Sequence, residues 1–275
     1  MGIDFSPLAE AVARMKRKTP VARALSSQEW SEVPRELRER AFWTANFASA
    51  DLLHLMHDKL TTALELGREQ VANGERYVSR SSFIGDMKEA LASAGYIPMP
   101  GEEGTIKDHS SRGRLGLIYD INTQMAAGFA GWKAGQDQGV LDAFPAQELY
   151  RQASRKIPRK WHLRWAEHGG REYGGRMIAL KNDPIWMAIS AFQNPYPPFD
   201  YNSGMGIRNV ARSEAIRLGV MTAQQTVHRE GRGFNDGLSG NVERFSPDLL
   251  KELARDFGNT VRLRDGQLEY IGGAR

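Results

Sequence analysis

The stretch Leu141-Asp142-Ala143-Phe144-Pro145-Ala146-Gln147-Glu148-Leu149-Tyr150-Arg151 is where the chain changes character. Before it, apolar residues recur every three or four positions, which is one face of a helix; after Phe144-Pro145 that period fades. Residues 145–205 are rich in Pro, Gly and Trp, with candidate strands at 148–153 and 176–180. The expected fold class is therefore α+β, mainly α. Long N-terminal helices precede a compact Trp/Pro/Gly-rich α+β module, and a small helix plus β-hairpin closes the chain.

Working back from that switch, a helix is expected over 110–137, with Leu115, Ile118, Asn122, Met125, Phe129 and Trp132 on its inner face. Gly128, Gly131 and Gly135 weaken it, each costing up to about 1 kcal/mol against Ala, and their spacing suggests a close-packed seam. Pro98-Met99-Pro100-Gly101 marks a boundary. Before it, Phe83, Met87, Ala90, Leu91 and Ala94 define a shorter helix stopped by Gly95. A stripe of Leu37, Ala41, Ala45, Ala48, Leu52, Met56, Leu60 and Ala63 continues to about Val71, predicting one helix of roughly 55 Å. Ser26-Ser27-Gln28-Glu29 reads as a capping box ahead of Trp30, and Pro34 suits a first helical turn. The first twenty residues read as a loosely held tail carrying Arg14, Lys16, Arg17 and Lys18.

Downstream, Trp161, Trp165 and Trp186 supply a compact core where aliphatic residues are scarce. Asp183 is expected to cap a helix whose first residue is Pro184. The run Tyr196-Pro197-Pro198-Phe199 must be extended, and either docks in an aromatic groove of a partner or lines the module's own core. Ser213 to Leu218 reads as a short helix ended by Gly219, and residues 222–245 as a mobile linker. Ser246-Pro247 opens a last helix with Leu249, Leu250, Leu253 and Phe257 on one face and Gly258 as its stop. Val261 to Tyr270 reads as a hairpin turned at Asp265-Gly266. The expected domains are 1–100 (helices with a basic flexible tail), 101–220 (the module) and 221–275 (linker, helix and hairpin).

The 275 residues contain no cysteine, which excludes disulfides and cysteine-held zinc. No run approaches the roughly 20 apolar residues of a membrane helix, and Met1-Gly2-Ile3-Asp4-Phe5 lacks the layout of a secretion signal; folding in a cytoplasm and no membrane partner are expected. The net charge of +4 says little, but residues 151–181 hold nine Lys or Arg against two Glu. Arg155, Lys156, Arg159, Lys160 and Arg164 are the candidate contact surface of that segment, for phosphates or an acidic protein face.

Leu115 to Val220 resembles the Mu-F-like phage head morphogenesis proteins, also called minor head proteins. The likeness begins at Tyr119-Asp120-Ile121-Asn122-Thr123-Gln124 with Ala126, Ala127 and Gly128, and continues through Arg155 to His162, including Pro158. Gly170, Asp183-Pro184-Ile185-Trp186, Tyr196-Pro197-Pro198 and Asn202-Ser203-Gly204 follow in the family's order. Many relatives end the module with Asn and a Cys-Arg-Cys element; Asn202-Ser203-Gly204-Met205-Gly206 stands there instead, so no metal role carries over. The gap from Pro158 to His162 is longer than the family's. The resemblance implies a structural virion protein, assembled in the bacterial cytoplasm in several copies, acting in procapsid assembly beside the portal or major capsid protein. Packaged DNA is a further implied partner, and a DNA-binding protein injected with the genome is a variant of the same role. No reaction and no cofactor are implied.

The residues also offer enzymatic alternatives. His54 and His57, three apart on a helix, offer two metal ligands but no placed third. His162, His168, Arg171 and Glu172 could form a general acid–base set for a nuclease or effector. Gly204-Met205-Gly206 and Gly231-Arg232-Gly233 match neither a phosphate-binding loop nor a dinucleotide fingerprint, and no Gly-x-Ser-x-Gly elbow occurs.

Overall fold

The computed structural model describes residues 6–72, 80–229, 239–241, 251, 253, 255, 261–264 and 267–270. In chain order run α1 (Ser6–Lys16), β1 (Thr19–Pro20), α2 (Ser27–Glu32), α3 (Arg35–Arg40), β2 (Ala41–Phe42), α4 (Ala50–Ala72), α5 (Arg80–Ser93) and α6 (Arg112–Gly135). Then come α7 (Gln138–Ala143), β3 (Ala146–Arg151), α8 (Trp161–Glu167), β4 (Glu172–Tyr173), β5 (Arg176–Leu180) and α9 (Ile185–Ala188). The last elements are β6 (Met205–Val210), α10 (Arg212–Arg217), β7 (Ser239–Asn241), β8 (Val261–Arg264) and β9 (Gln267–Tyr270). The fold is α+β and mainly α. No helix among the described residues is long and apolar enough to cross a membrane.

Two compact units divide the chain: Ala11–Thr123 with Arg232–Arg275, and Gln124–Gly231 with Met1–Glu10. The division falls inside α6 rather than at Pro98–Gly101. Helical hydrogen bonding runs unbroken through α6, so its two halves can serve different cores: Leu115, Ile118 and Tyr119 are buried in the first half, Ala126 and Ala130 in the second.

In the N-terminal unit, residues 11–21 are not a loose tail. Ala11, Val12 and Met15 are buried on one face of α1, and β1 pairs in parallel with β2. Half of the basic cluster is committed internally: Arg14 meets Glu39 at 3.3 Å, and the Lys18 ammonium donates to the carbonyls of Glu39 (3.1 Å) and Ala41 (2.9 Å), whereas Lys16, paired with Glu65, and Arg17, donating to the Ala13 carbonyl, are exposed. The capping box forms as expected, with Glu29 N–H donating to Ser26 Oγ and Ser26 N–H to Glu29 Oε2. Trp30 then stacks on Trp43, ring centres 4.6 Å apart, against Val21, Val33, Leu37, Ala41 and Leu253.

The single long helix predicted from Leu37 to Val71 is interrupted. Ala41 is extended (φ −85°, ψ 144°) and with Phe42 joins β1; Asn46 takes a left-handed turn (φ 57°) before Ser49 starts α4. Tertiary burial decides this: Phe42 and Phe47 are interior, whereas Ala48, which carried the stripe across the gap, is exposed. An exposed Ala offers no packing to hold the helix there. The helix expected before Gly95 ends as predicted, with Tyr96 N–H on the Leu91 carbonyl and Gly95 (φ 74°) N–H on that of Ala92. The hairpin β8–β9 forms with Leu263 opposite Leu268, and β7 adds a third strand. Most of the helix expected from Ser246 lies outside the described residues, although Leu253 is fully buried.

The central unit is built on an antiparallel sheet ordered β4-β5-β3-β6. Side chains alternate across β3, so its two faces bury different partners. Leu149, Met177, Ala179 and Met205 face Trp161, Trp165, Trp186 and Phe199. Ala146, Ile178 and Val210 face Leu141, Ala215, Met221 and Val227. The tryptophan core is thus as the sequence predicted, with Trp165 and Trp186 packed edge to face at 5.3 Å. Residues 222–229 are not a mobile linker: Val227 is buried, and Arg212 donates to the carbonyls of Ala223 and Gln225. Residues 230–238 and 242–245 of that expected linker lie outside the described residues.

Burial, together with the nearby Arg14 charge and despite Glu39, lowers the pKa of Lys18 to about 7. Folding therefore releases a proton from Lys18 between this value and the ordinary lysine range. Its charged form opposes folding below about pH 7, and stability rises with pH above it. Denaturant titrations from pH 7 to 10 are expected to show that rise in the native chain and a flatter profile in Lys18→Met.

Candidate functional site

Hydrogen-bonded pairing of β3 with β5 stops at Leu149 opposite Met177. Beyond that point the strands part, and Tyr150, Arg151, Gly175 and Arg176 line a cavity of about 300 Å³ with Arg159, Lys160, Trp161 and His162. The segment 151–160, an arm that leaves β3 and leads into α8, is exposed at every one of its ten positions. It carries Arg151, Arg155, Lys156, Arg159 and Lys160 and no acidic residue, and Ile157 near its middle is 88% exposed.

The predicted contact surface divides in the structure. Lys156 and Lys160 are open. Arg155 is exposed but held, its Nε donating to the Asn202 carbonyl at 2.8 Å. Arg159 and Arg164 converge on Asp200, at 3.4 and 2.9 Å. Arg164 also lies over the Trp161 ring at 4.9 Å, so it clamps α8 and does not belong with the open cations. Arg151, left out of the predicted set, belongs to the arm. Its place in a strand pattern hid it, because strand residues are exposed or covered according to the chain packed on that face.

Beneath the arm, Glu148 is buried and takes hydrogen bonds from Arg176 (2.5 and 2.9 Å) and Arg208 (2.9 Å to each oxygen). Arg176 continues to Glu214 at 2.7 Å. Burial pushes the Glu148 pKa up, but the bonds from Arg208 and Arg176 outweigh it and hold the carboxyl below its usual range. The network pins β3 between β5 and β6 at the point where the cavity opens.

The residues carrying the family resemblance are mostly structural. Tyr119 is buried against Phe83, and Asn122 donates back to the Ile118 carbonyl, both in the N-terminal unit. In the central unit, a Cβ at Gly170 would strike the Trp165 indole, whose Nε1 donates to the Arg171 carbonyl at 2.9 Å. Asp183 accepts from Ile185 N–H at 2.8 Å beside Pro184, and Trp186 Nε1 donates to the Leu180 carbonyl at 2.7 Å. Tyr196 and Phe199 are fully buried, so Tyr196-Pro197-Pro198-Phe199 lines the module's own core and is no docking peptide. A Cβ at Gly128 would run into the Pro197 carbonyl, whereas one at Gly131 meets nothing; the expected glycine seam exists only at Gly128. Asn202 adopts φ 49°, and Pro158 is exposed on the arm.

Of the acid–base set, the structure brings together His162 and Glu172, Nδ1 to Oε1 at 2.6 Å across α8 and β4. His168 instead donates to the Arg164 carbonyl at 2.8 Å, and Arg171 is exposed. His54 is exposed and His57 is buried with Nε2 donating to the Met15 carbonyl at 2.8 Å, so the two do not form a metal-binding face. No group of three or more potential metal ligands occurs among the described residues. Comparisons with models of known families, with curated proteins and with solved structures find no match to this chain.

Glu148→Gln should remove a charge-assisted pair while keeping shape, costing about 1–3 kcal/mol at pH 7. A carboxyl with a lowered native pKa stabilises only while ionised, so this difference should shrink as pH falls below about 4. Denaturant melts of both forms at pH 7 and pH 3.5 measure it.

Proposed function

We propose that this chain is a non-enzymatic minor head protein of a tailed phage or prophage, acting in procapsid assembly next to the portal or the inner capsid wall. The observation that carries the reading is the arm 151–160, exposed throughout, with five cations, no anion and a protruding Ile157. Such a segment does nothing for its own core and fits an acidic surface on a partner. An exposed Ile among the cations favours a protein face, portal or major capsid protein, over a phosphate backbone, which offers an aliphatic side chain little. The ordered Leu115 to Val220 likeness to minor head proteins supports the same assignment.

Particles made with Lys156→Glu and Lys160→Glu together are expected to lose the chain, as read by mass spectrometry against portal and coat protein, with the melting temperature of the purified variant unchanged. Incorporation at the native ratio sinks the reading. Strongly salt-dependent DNA affinity that falls when Arg155, Lys156, Arg159 and Lys160 are neutralised would move the arm from protein to packaged DNA.

A second reading rests on the His162–Glu172 bond, which fixes one imidazole nitrogen and leaves Nε2 beside a cationic cavity, as an RNA- or DNA-cleaving base requires. Under the structural reading His162→Ala leaves particle assembly intact and abolishes no nuclease activity. Loss of a measurable nucleic-acid cleavage in that variant would overturn it.

A further inference from the structure

We propose that Lys181 anchors a carboxylate-binding site in the central unit, separate from the basic arm. Lys181 follows β5 and is 5% exposed, yet its ammonium makes no hydrogen bond or ion pair among the described residues; only its backbone N–H is engaged, on the Pro145 carbonyl. It borders a cavity of about 210 Å³ that it shares with Gly131, Trp132, Gly135, Gln147 and Asn209, and among the described residues it is the only charged one in that lining. A buried charge without a partner is costly to keep. The surrounding charges are turned elsewhere. Glu148 on β3 is taken by Arg176 and Arg208, Asp137 caps α7, Asp142 meets Gln138, and Lys133 on α6 is exposed.

The lining selects the ligand. Gln147 and Asn209 are directly opposed across β3 and β6, so both amides lie on one sheet face with the cavity. One ammonium and two neutral amides match a singly charged, planar acceptor with two oxygens. A phosphate dianion would leave a charge uncompensated there. Trp132, Val140 and Ile207 give an apolar wall for the stem of such an acid.

The helix-weakening glycines of α6 also find a use. A Cβ at Gly131 meets nothing within 4 Å, and one at Gly135 would stand 3.7 Å from Lys181 Nζ. These two positions are not a packing seam; they keep the cavity open. Gly131, Trp132 and Ile207 also line an adjoining groove of about 690 Å³, so the stem has a way out.

Burial lowers the Lys181 pKa to about 8, which makes the amine its own reporter. In the full chain with carbon-13-labelled lysine, the Lys181 signal is identified by its loss in Lys181→Met. Millimolar hexanoate is expected to move its titration midpoint up by about 1–3 pH units, while hexanamide, equal in shape and uncharged, leaves it in place. Gly131→Leu fills the cavity without touching the amine and should abolish the response while the signal and the thermal midpoint persist. A short peptide bearing a glutamate tip, tested beside hexanoate, distinguishes a protein-borne carboxylate from a free one; a response to either supports the site. Indifference to both, an equal response to hexanamide, or a response that survives Gly131→Leu overturns it.

Discussion

Strand β3 lies between β5 and β6 with both of its faces covered, and the central unit is arranged around satisfying it. A strand in that position has to feed two cores by alternation. Leu149 enters the tryptophan core, Ala146 enters the aliphatic one, and the polar residues between them need dedicated partners. Glu148 has them in Arg176 and Arg208, one from each neighbouring strand. Because those partners sit on both flanks, the ion network does for the sheet what a packed side chain does elsewhere: it fixes the register at the end where the ladder opens. The cationic cavity, the His162–Glu172 pair and the exposed arm all lie at that opening.

The N-terminal unit uses a different device. Its short segments are tied by polar side chains to backbone carbonyls: Lys18 to Glu39 and Ala41, His57 to Met15, and Arg114 to Ala45 at 2.8 Å with Thr44 beside it. The carbonyls reached lie in the last turn of a helix (Met15, Glu39), in a strand (Ala41) or in a loop (Ala45), where regular helical bonding is incomplete. Lys18, which looks like part of a free tail in the sequence, is consumed in this way, whereas Lys156 and Lys160 of the arm at 151–160 stay open.

The sequence is legible where local chemistry is sufficient. Ser26 with Glu29, Gly95, Gly219, Asp183 with Pro184 and the strand Arg176–Leu180 each carry their instruction within a few residues. It misleads where a periodic pattern meets a tertiary demand. Ala41, Ala45 and Ala48 continue a helical stripe, but Phe42 and Phe47 gain more from burial than the helix gains from continuity. The candidate site is half legible in the sequence: Arg155, Lys156, Arg159 and Lys160 stand out there, but Arg151 is hidden in a strand pattern, and only Asp200 and the Trp161 ring separate Arg164 from them.

By itself the sequence determined the fold class, the tryptophan core, the helix caps and the concentration of positive charge after β3, because these depend on residue type and short spacing. Only the tertiary structure decided which of those charges are open, where α6 passes from one unit to the other, and that the Lys181 ammonium has no partner among the described residues. A cation's partner is chosen by neighbours distant in sequence: Arg176 lies 28 residues from Glu148, and Arg208 lies 60. No period or motif encodes that distance, and for Lys181 it is the absence of any such neighbour among the described residues that leaves a charge facing an open cavity.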